Sequence, residues 1–184
     1  QNPQHSRTLS YCSLNLSALS LCDPDFKAFA LRKLTGLVAV CEKLCFEITE
    51  TAAISNVPRA LEFIDALKGI GCRFALDDFG SGLASFAYLK QIPVDMIKID
   101  GSFVRDIVDS PLDQAMVRSI CEIAAMMGKQ TTAECVENRH TLDVLAKLGV
   151  DQVQGYYLGH PRPMAHMFGH RADEGPDGAR VELP

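Results

Sequence analysis

The uniform order of short β-like runs and helix-like stretches constrains the fold of this chain more than any other feature of its sequence. Apolar or alternating runs occupy residues 10–17, 44–49, 73–77, 96–99, 130–134 and 150–154. Helical patterns follow them. Asp23-Pro24 supplies an N-cap and a proline at the first helical position, and Phe26, Phe29, Ala30 and Leu34 recur at helical spacing up to Gly36. Residues 57–68 carry Leu61, Ile64 and Leu67 on one stripe before Gly69, and residues 80–90 read as a loop entering a short helix. Ser110-Pro111 opens the clearest helix, with Leu112, Met116, Ile120, Ile123 and Met127 in register before Gly128, and residues 138–148 place Leu142, Leu145 and Leu148 together before Gly149. Strands alternating with helices through short connections predict right-handed βαβ crossovers and a parallel sheet, either doubly wound or closed as a barrel.

Composition narrows the function classes. The chain has 184 residues, 47% of them hydrophobic and 22% charged, which suits a globular domain with a real core. No apolar stretch approaches the roughly 20 residues of a membrane span, so no membrane contact is expected. A net charge of -5 argues against a duplex nucleic acid partner and leaves room for a small nucleotide held through cations. Seven cysteines without a Cys-x-x-Cys pair fit reduced thiols, hence a cytoplasmic location. Residues 1–9 read as a polar lead, 10–163 as one domain and 164–184 as a C-terminal extension that is poorly ordered from residue 172.

The chemistry concentrates at strand ends. Asp77-Asp78-Phe79-Gly80-Ser81-Gly82 places two adjacent carboxylates at the mouth of a strand, before a glycine-bracketed loop. The other strands end in Asn15, Glu47, Lys98, Glu134 and Gln154. In a parallel barrel those ends share one mouth. Each residue alone has an ordinary reading as a cap, a rim carboxylate, a snorkelling lysine or a loop partner. Together, the carboxylates and the amide oxygen supply hard ligands for Mg²⁺ or Mn²⁺, and two such ions about 4 Å apart can clamp the attacking and leaving oxygens of a phosphodiester. Lys98 adds a cation to orient water or stabilise transition-state charge. Tyr156 and Tyr157 offer stacking faces for a guanine, although one is expected to pack into the barrel floor.

The wording of these segments resembles the EAL domain, the bacterial cyclic di-GMP phosphodiesterase family. Asn15-Leu16-Ser17, Phe46-Glu47-Ile48-Thr49-Glu50, Leu76-Asp77-Asp78-Phe79-Gly80-Ser81-Gly82, Pro93-Val94-Asp95-Met96-Ile97-Lys98-Ile99-Asp100, Ala133-Glu134-Cys135-Val136-Glu137 and Gln154-Gly155-Tyr156-Tyr157 follow the family's motif order. The resemblance implies an α/β, TIM-barrel-like fold, incomplete here with about six βα units and the first strands missing. It implies two-metal hydrolysis of cyclic di-GMP to linear pGpG. Asn15, Glu47, Asp77, Asp78 and Glu134 would serve the Mg²⁺ or Mn²⁺ ions, with Asp77 bridging both. Catalysis would fall to Lys98, Glu134 and Asp78, with Lys98 holding the nucleophilic water. Gln154 would support that water or the substrate phosphate. Glu50 would tether the loop from Phe79 through Gly80, Ser81 and Gly82, coupling the site to a homodimer interface. Upstream sensory or GGDEF domains would complete a longer protein.

Two departures qualify this reading. No Glu-Ala-Leu occurs in the 184 residues, which leaves one ligand glutamate out and predicts impaired turnover. Cys135 stands where the family usually has glycine; a thiol there would crowd the site or, on the favoured reading, sit buried and inert. The alternative function is a non-catalytic module that binds cyclic di-GMP or another protein through the same mouth.

Overall fold

A computed structural model describes residues 9–81, 86–163 and 181–182. The chain forms two compact units, residues 9–97 and residues 98 onward. In the first, β1 (Cys12–Leu16) leads through α1 (Ala18–Cys22), α2 (Pro24–Leu34) and α3 (Val38–Cys41) to β2 (Leu44–Thr49). Then come α4 (Glu50–Ser55), α5 (Val57–Lys68), β3 (Arg73–Phe79) and α6 (Phe86–Leu89). Strands β1, β2 and β3 are parallel, with Asn15 opposite Glu47 and Thr49 opposite Asp77.

Local chemistry explains most of these elements. Asp23 accepts from the Asp25 N–H ahead of Pro24, Thr49 accepts from the Ala52 N–H, and Asn56 accepts from the Arg59 N–H, so α2, α4 and α5 each start on a side-chain cap. One face of the strands meets α5. Phe63 sits edge-on to both Phe46 and Phe74, with ring centroids 6.4 and 6.3 Å away, and none of its surface is exposed. The other face, by the period-2 alternation of a strand, carries Asn15, Glu47, Thr49 and Asp77.

The strand β4 (Met96–Ile99) begins in the first unit and ends in the second. The second unit continues with a 3₁₀ turn (Gly101–Phe103), α7 (Pro111–Met126), β5 (Gln130–Ala133), α8 (Arg139–Leu148), β6 (Gln152–Val153) and β7 (Val181–Glu182). β5 and β6 are parallel, whereas β7 runs antiparallel to β6. The edge of β6 provides the pairing for this two-residue strand.

Both units share a device at the strand starts. Asp95, just before β4, accepts from the Phe74 N–H at 2.9 Å and binds Lys68. Asp151, just before β6, accepts from the Thr131 N–H and hydroxyl at 2.7 and 2.8 Å, and its own N–H donates to the Thr131 hydroxyl. Each aspartate satisfies an amide of the neighbouring strand. No helix among the described residues is long and apolar enough to cross a membrane.

Burial also sets the thiol chemistry. Desolvation raises the Cys72 thiol to about 12, with Cys41 beside it adding to the shift, and desolvation raises Cys121 to about 11. Both protons are held more tightly in the folded than the unfolded chain. The resulting stability is complete below the unfolded thiol value of about 8.5 and is lost as pH rises through 11 to 12. At pH 8, Cys72 and Cys121 are therefore expected to resist a maleimide in the native protein and to react after urea unfolding. Peptide mapping that found either residue labelled at the rate of unfolded chain would contradict this burial.

Candidate active site

The first unit carries a row of side-chain oxygens on one strand face. Glu47 on β2 is buried, 6% exposed, directly opposite Asn15 on β1. Asp77, one pairing step further along β3, shares that face because its partner Thr49 lies two residues beyond Glu47. Asn15 itself is exposed, while Asp77 and Asp78 are half-buried. This is the donor chemistry that suits Mg²⁺ or Mn²⁺ rather than a soft metal.

The turn after Asp77 is fixed in several ways. Asp78 has φ of +54°, a left-handed conformation that aspartate tolerates better than most residues. Its N–H donates to Asp77 Oδ1 at 3.2 Å, and its carbonyl accepts from the Ser81 N–H and hydroxyl at 3.2 and 2.8 Å. Glu50, 4% exposed in the first turn of α4, accepts from the Gly80 N–H at 2.8 Å. That contact joins the start of α4 to the turn after β3. Phe79 is buried beside it, and the hollow that Glu50, Phe79, Tyr88 and Leu89 help line holds about 10 Å³, the lower limit for one water and too little for a substrate. Gly82 lies outside the described residues.

The second unit carries a buried cation of its own. Lys98, 2% exposed near the end of β4, places Nζ 2.6 Å from Glu134 Oε1. Glu134 follows β5, and its N–H donates to the Ile99 carbonyl at 3.3 Å. Gln154 is exposed just after β6; its N–H donates to the Ala133 carbonyl at 2.8 Å and its carbonyl accepts from Val136 at 3.1 Å. Thus the backbones carrying Lys98, Glu134 and Gln154 are stitched side by side.

Two glycines, Gly101, which the sequence reading passes over, and Gly155, which it names only within a motif, lie against the end of β5. A methyl group at Gly101 would collide with Cys135 Sγ, and one at Gly155 would collide with the Val136 backbone. Their signal is positional: each follows a strand end by one or two residues. Cys135 between them is half-buried with φ of +56°, which explains why glycine suits this position and corrects the expectation of a buried thiol. Relief of left-handed strain, set against the greater unfolded freedom of glycine, predicts that Cys135→Gly stabilises the protein by about 0.5–1 kcal/mol. Urea melts measure this; a lowered midpoint would mean that the thiol's packing outweighs the strain.

Tyr156 and Tyr157 also depart from expectation. Neither packs into a floor: they are 60% and 45% exposed, and the Tyr156 ring lies 4.4 Å from that of His160. The preceding Gly155 and the hydrogen bond from Tyr157 N–H to the Val136 carbonyl hold the backbone down and leave both rings outward.

The EAL domain family profile matches residues 1–161. The chain belongs to the EAL domain family. The cyclic di-GMP phosphodiesterase PdeB of Shewanella oneidensis is 42% identical over 153 residues, 83% of this chain and 18% of that protein. The cyclic di-GMP phosphodiesterase PdeF of Escherichia coli is 41% identical over 83% of this chain and 20% of its own length, so the chain spans about a fifth of these relatives. Among solved structures, the EAL domain of Mycobacterium smegmatis DcpA superposes with a TM-score of 0.78 at 29% identity, covering 85% of this chain and 70% of that one. Klebsiella pneumoniae BlrP1 in a manganese and cyclic di-GMP complex gives 0.76 at 30% identity, covering 84% and 40%. The fold of this EAL chain is accordingly TIM-barrel-like.

Proposed function

We propose that this EAL chain is a metal-dependent phosphodiesterase module that hydrolyses cyclic di-GMP to linear pGpG. The observation that carries the proposal is the buried Lys98–Glu134 pair at 2.6 Å. A lysine withdrawn from water needs a reason beyond stability, since such pairs rarely repay their desolvation. A fixed ammonium is a preorganised donor for the oxygen of an attacking water or for charge developing on a phosphoryl group.

Asn15, Glu47, Asp77, Asp78 and Glu134 are proposed to hold Mg²⁺ or Mn²⁺, supported by their oxygen chemistry and by the shared face of Asn15, Glu47 and Asp77. Bound divalent ions would neutralise charge on the phosphodiester oxygens. In this proposal Glu134 holds Lys98 in place, Gln154 supports water or phosphate, and Glu50 holds Gly80 so that Phe79, Gly80, Ser81 and Gly82 form the loop over the substrate. A cytoplasmic homodimer with sensory or GGDEF domains elsewhere in a longer polypeptide completes the proposal, of which only the longer polypeptide draws support from the length of the relatives.

A binding role without turnover, through the same residues, is the second reading. Incubating the chain with cyclic di-GMP and Mn²⁺ and resolving the products by chromatography separates the two. Slow formation of pGpG that ceases in Asp77→Ala supports an impaired enzyme. Intact cyclic di-GMP that nevertheless equilibrates onto the protein in dialysis supports the binding module and overturns the first reading.

A further inference from the structure

Two buried thiols of the first unit meet across a long stretch of sequence. Cys41 ends α3 with no exposed surface, and Cys72, 3% exposed, immediately precedes β3. The backbone brings them together: Cys45, four residues after Cys41, is paired in register with Arg73, the residue after Cys72. A methyl group at Gly71 would lie 3.7 Å from Cys41 Cβ, so the Cys41 side chain rests against the turn that delivers Cys72. The two thiols hydrogen-bond to one another, and Cys41 Sγ also donates to the Leu34 carbonyl at 3.4 Å. Thiols in contact across two elements are within reach of a disulfide after side-chain rotation.

We propose that Cys41 and Cys72 form a reversible disulfide, made by exchange with a low-molecular-weight disulfide such as oxidised glutathione, that staples α3 to the start of β3. One cysteine thiolate attacks the small disulfide, giving a mixed disulfide and releasing one small thiol. The second cysteine thiolate attacks the cysteine sulfur of that mixed disulfide, which forms the Cys41–Cys72 bond and releases the other small thiol. The two cysteine protons end on the two released thiols, so two cysteines are oxidised as one small disulfide is reduced. The product is neutral and suits a dry site, whereas a soft metal there would leave two thiolates buried. Burial pushes the Cys72 thiol up to about 12, so thiolate is scarce in the folded chain and exchange belongs to the folding chain, before the pair is enclosed. The closed loop holds Glu47 and Glu50 between its ends. This role is independent of whether the module turns over cyclic di-GMP.

Refolding the full chain from urea at pH 8 in buffers of stepped reduced-to-oxidised glutathione ratio tests it, with free thiols trapped by iodoacetamide and the peptides mapped. The linked Cys41–Cys72 peptide is expected at a more reducing ratio than any other pair among the seven cysteines, and dithiothreitol under denaturing conditions should release it. Closing a loop of about thirty residues should raise the folded-to-unfolded ratio about a hundredfold or more, read as a higher urea midpoint for the oxidised chain. Cys41→Ser, which keeps a donor for the Leu34 carbonyl, and Cys72→Ala should each lose both the link and the oxidant-dependent shift. Cys41 and Cys72 found alkylated at ratios where other cysteines of the wild-type chain are already oxidised would overturn the proposal, as would a linked chain whose midpoint does not exceed that of the reduced one. Both decisive readings come from the wild-type sequence and stand even if a variant fails to fold.

Discussion

Lys98→Met is expected to lower turnover of cyclic di-GMP by about a hundred- to a thousandfold, the usual effect of deleting one preorganised donor from a site that excludes water. The variant should also lose about 3 kcal/mol of stability, the low end of the penalty for stranding one member of a buried ion pair. The lower figure applies because Glu134 retains 18% side-chain exposure and so recovers some hydration, whereas Lys98 retains only 3%. Methionine matches the lysine stem closely enough that packing contributes little to either loss. Comparing kcat with the urea midpoint separates the roles. A variant that is destabilised but turns over at the wild-type rate would reduce Lys98–Glu134 to a structural pair and remove the main support for catalysis. Lys98→Arg sharpens the test: it keeps the charge but replaces a compact ammonium with a planar fork, and is expected to recover stability more fully than rate.

The parts of this fold that were legible in the sequence are those governed by local rules. Residues 44–49, 57–68 and 96–99 form the elements their patterns predict, because each combines a clean period with a cap or breaker at its end. The short helices α1, α3 and α4 were not legible: at four to six residues none is long enough to show a stripe, although Thr49 caps α4 with ordinary N-cap chemistry. β7 was invisible for a different reason. Val181 and Glu182 form a strand because the edge of β6 lies opposite them, and nothing in the sequence near residue 181 encodes a partner 28 positions earlier at Val153. β3 runs two residues beyond Asp77, since the alternation ends at Phe79 and not at the first carboxylate.

The same division holds for the site. Residue type and strand-end position pick out Glu47, Asp77 and Lys98, but the direct juxtaposition of Asn15 with Glu47 depends on sheet register, which is a tertiary choice. The tether role proposed for Glu50 comes only from the family resemblance; its 2.8 Å contact with Gly80 joins a helix start to a turn thirty residues away. Conversely, Cys135 is legible as a departure from the family pattern, and its φ of +56° supplies the physical reason that glycine is usual there. Sequence similarity identifies the position, and backbone conformation explains it.

Glu47→Gln is expected to raise the Mn²⁺ concentration needed for thermal stabilisation at least about tenfold, the lower limit for loss of a group that supports a metal site. At Mn²⁺ a hundredfold above the dissociation constant, a single ion bound only by the folded state stabilises the wild type by about 2.7 kcal/mol. Glutamine keeps the shape and one carbonyl donor of glutamate but removes the negative charge, so its effect isolates electrostatics from packing. That distinction matters at Glu47, which is 6% exposed and paired in register with Asn15: truncation to alanine would open space in the sheet face and confuse metal affinity with stability. Because the readout is the melting temperature as Mn²⁺ is titrated, it does not depend on turnover and remains informative for a module that only binds. An unchanged Mn²⁺ response in Glu47→Gln would exclude Glu47 from the ligand set. It would also break the argument that the shared face of β1, β2 and β3 is where the ions bind, leaving the lysine–glutamate pair as the part of the site with an independent physical rationale.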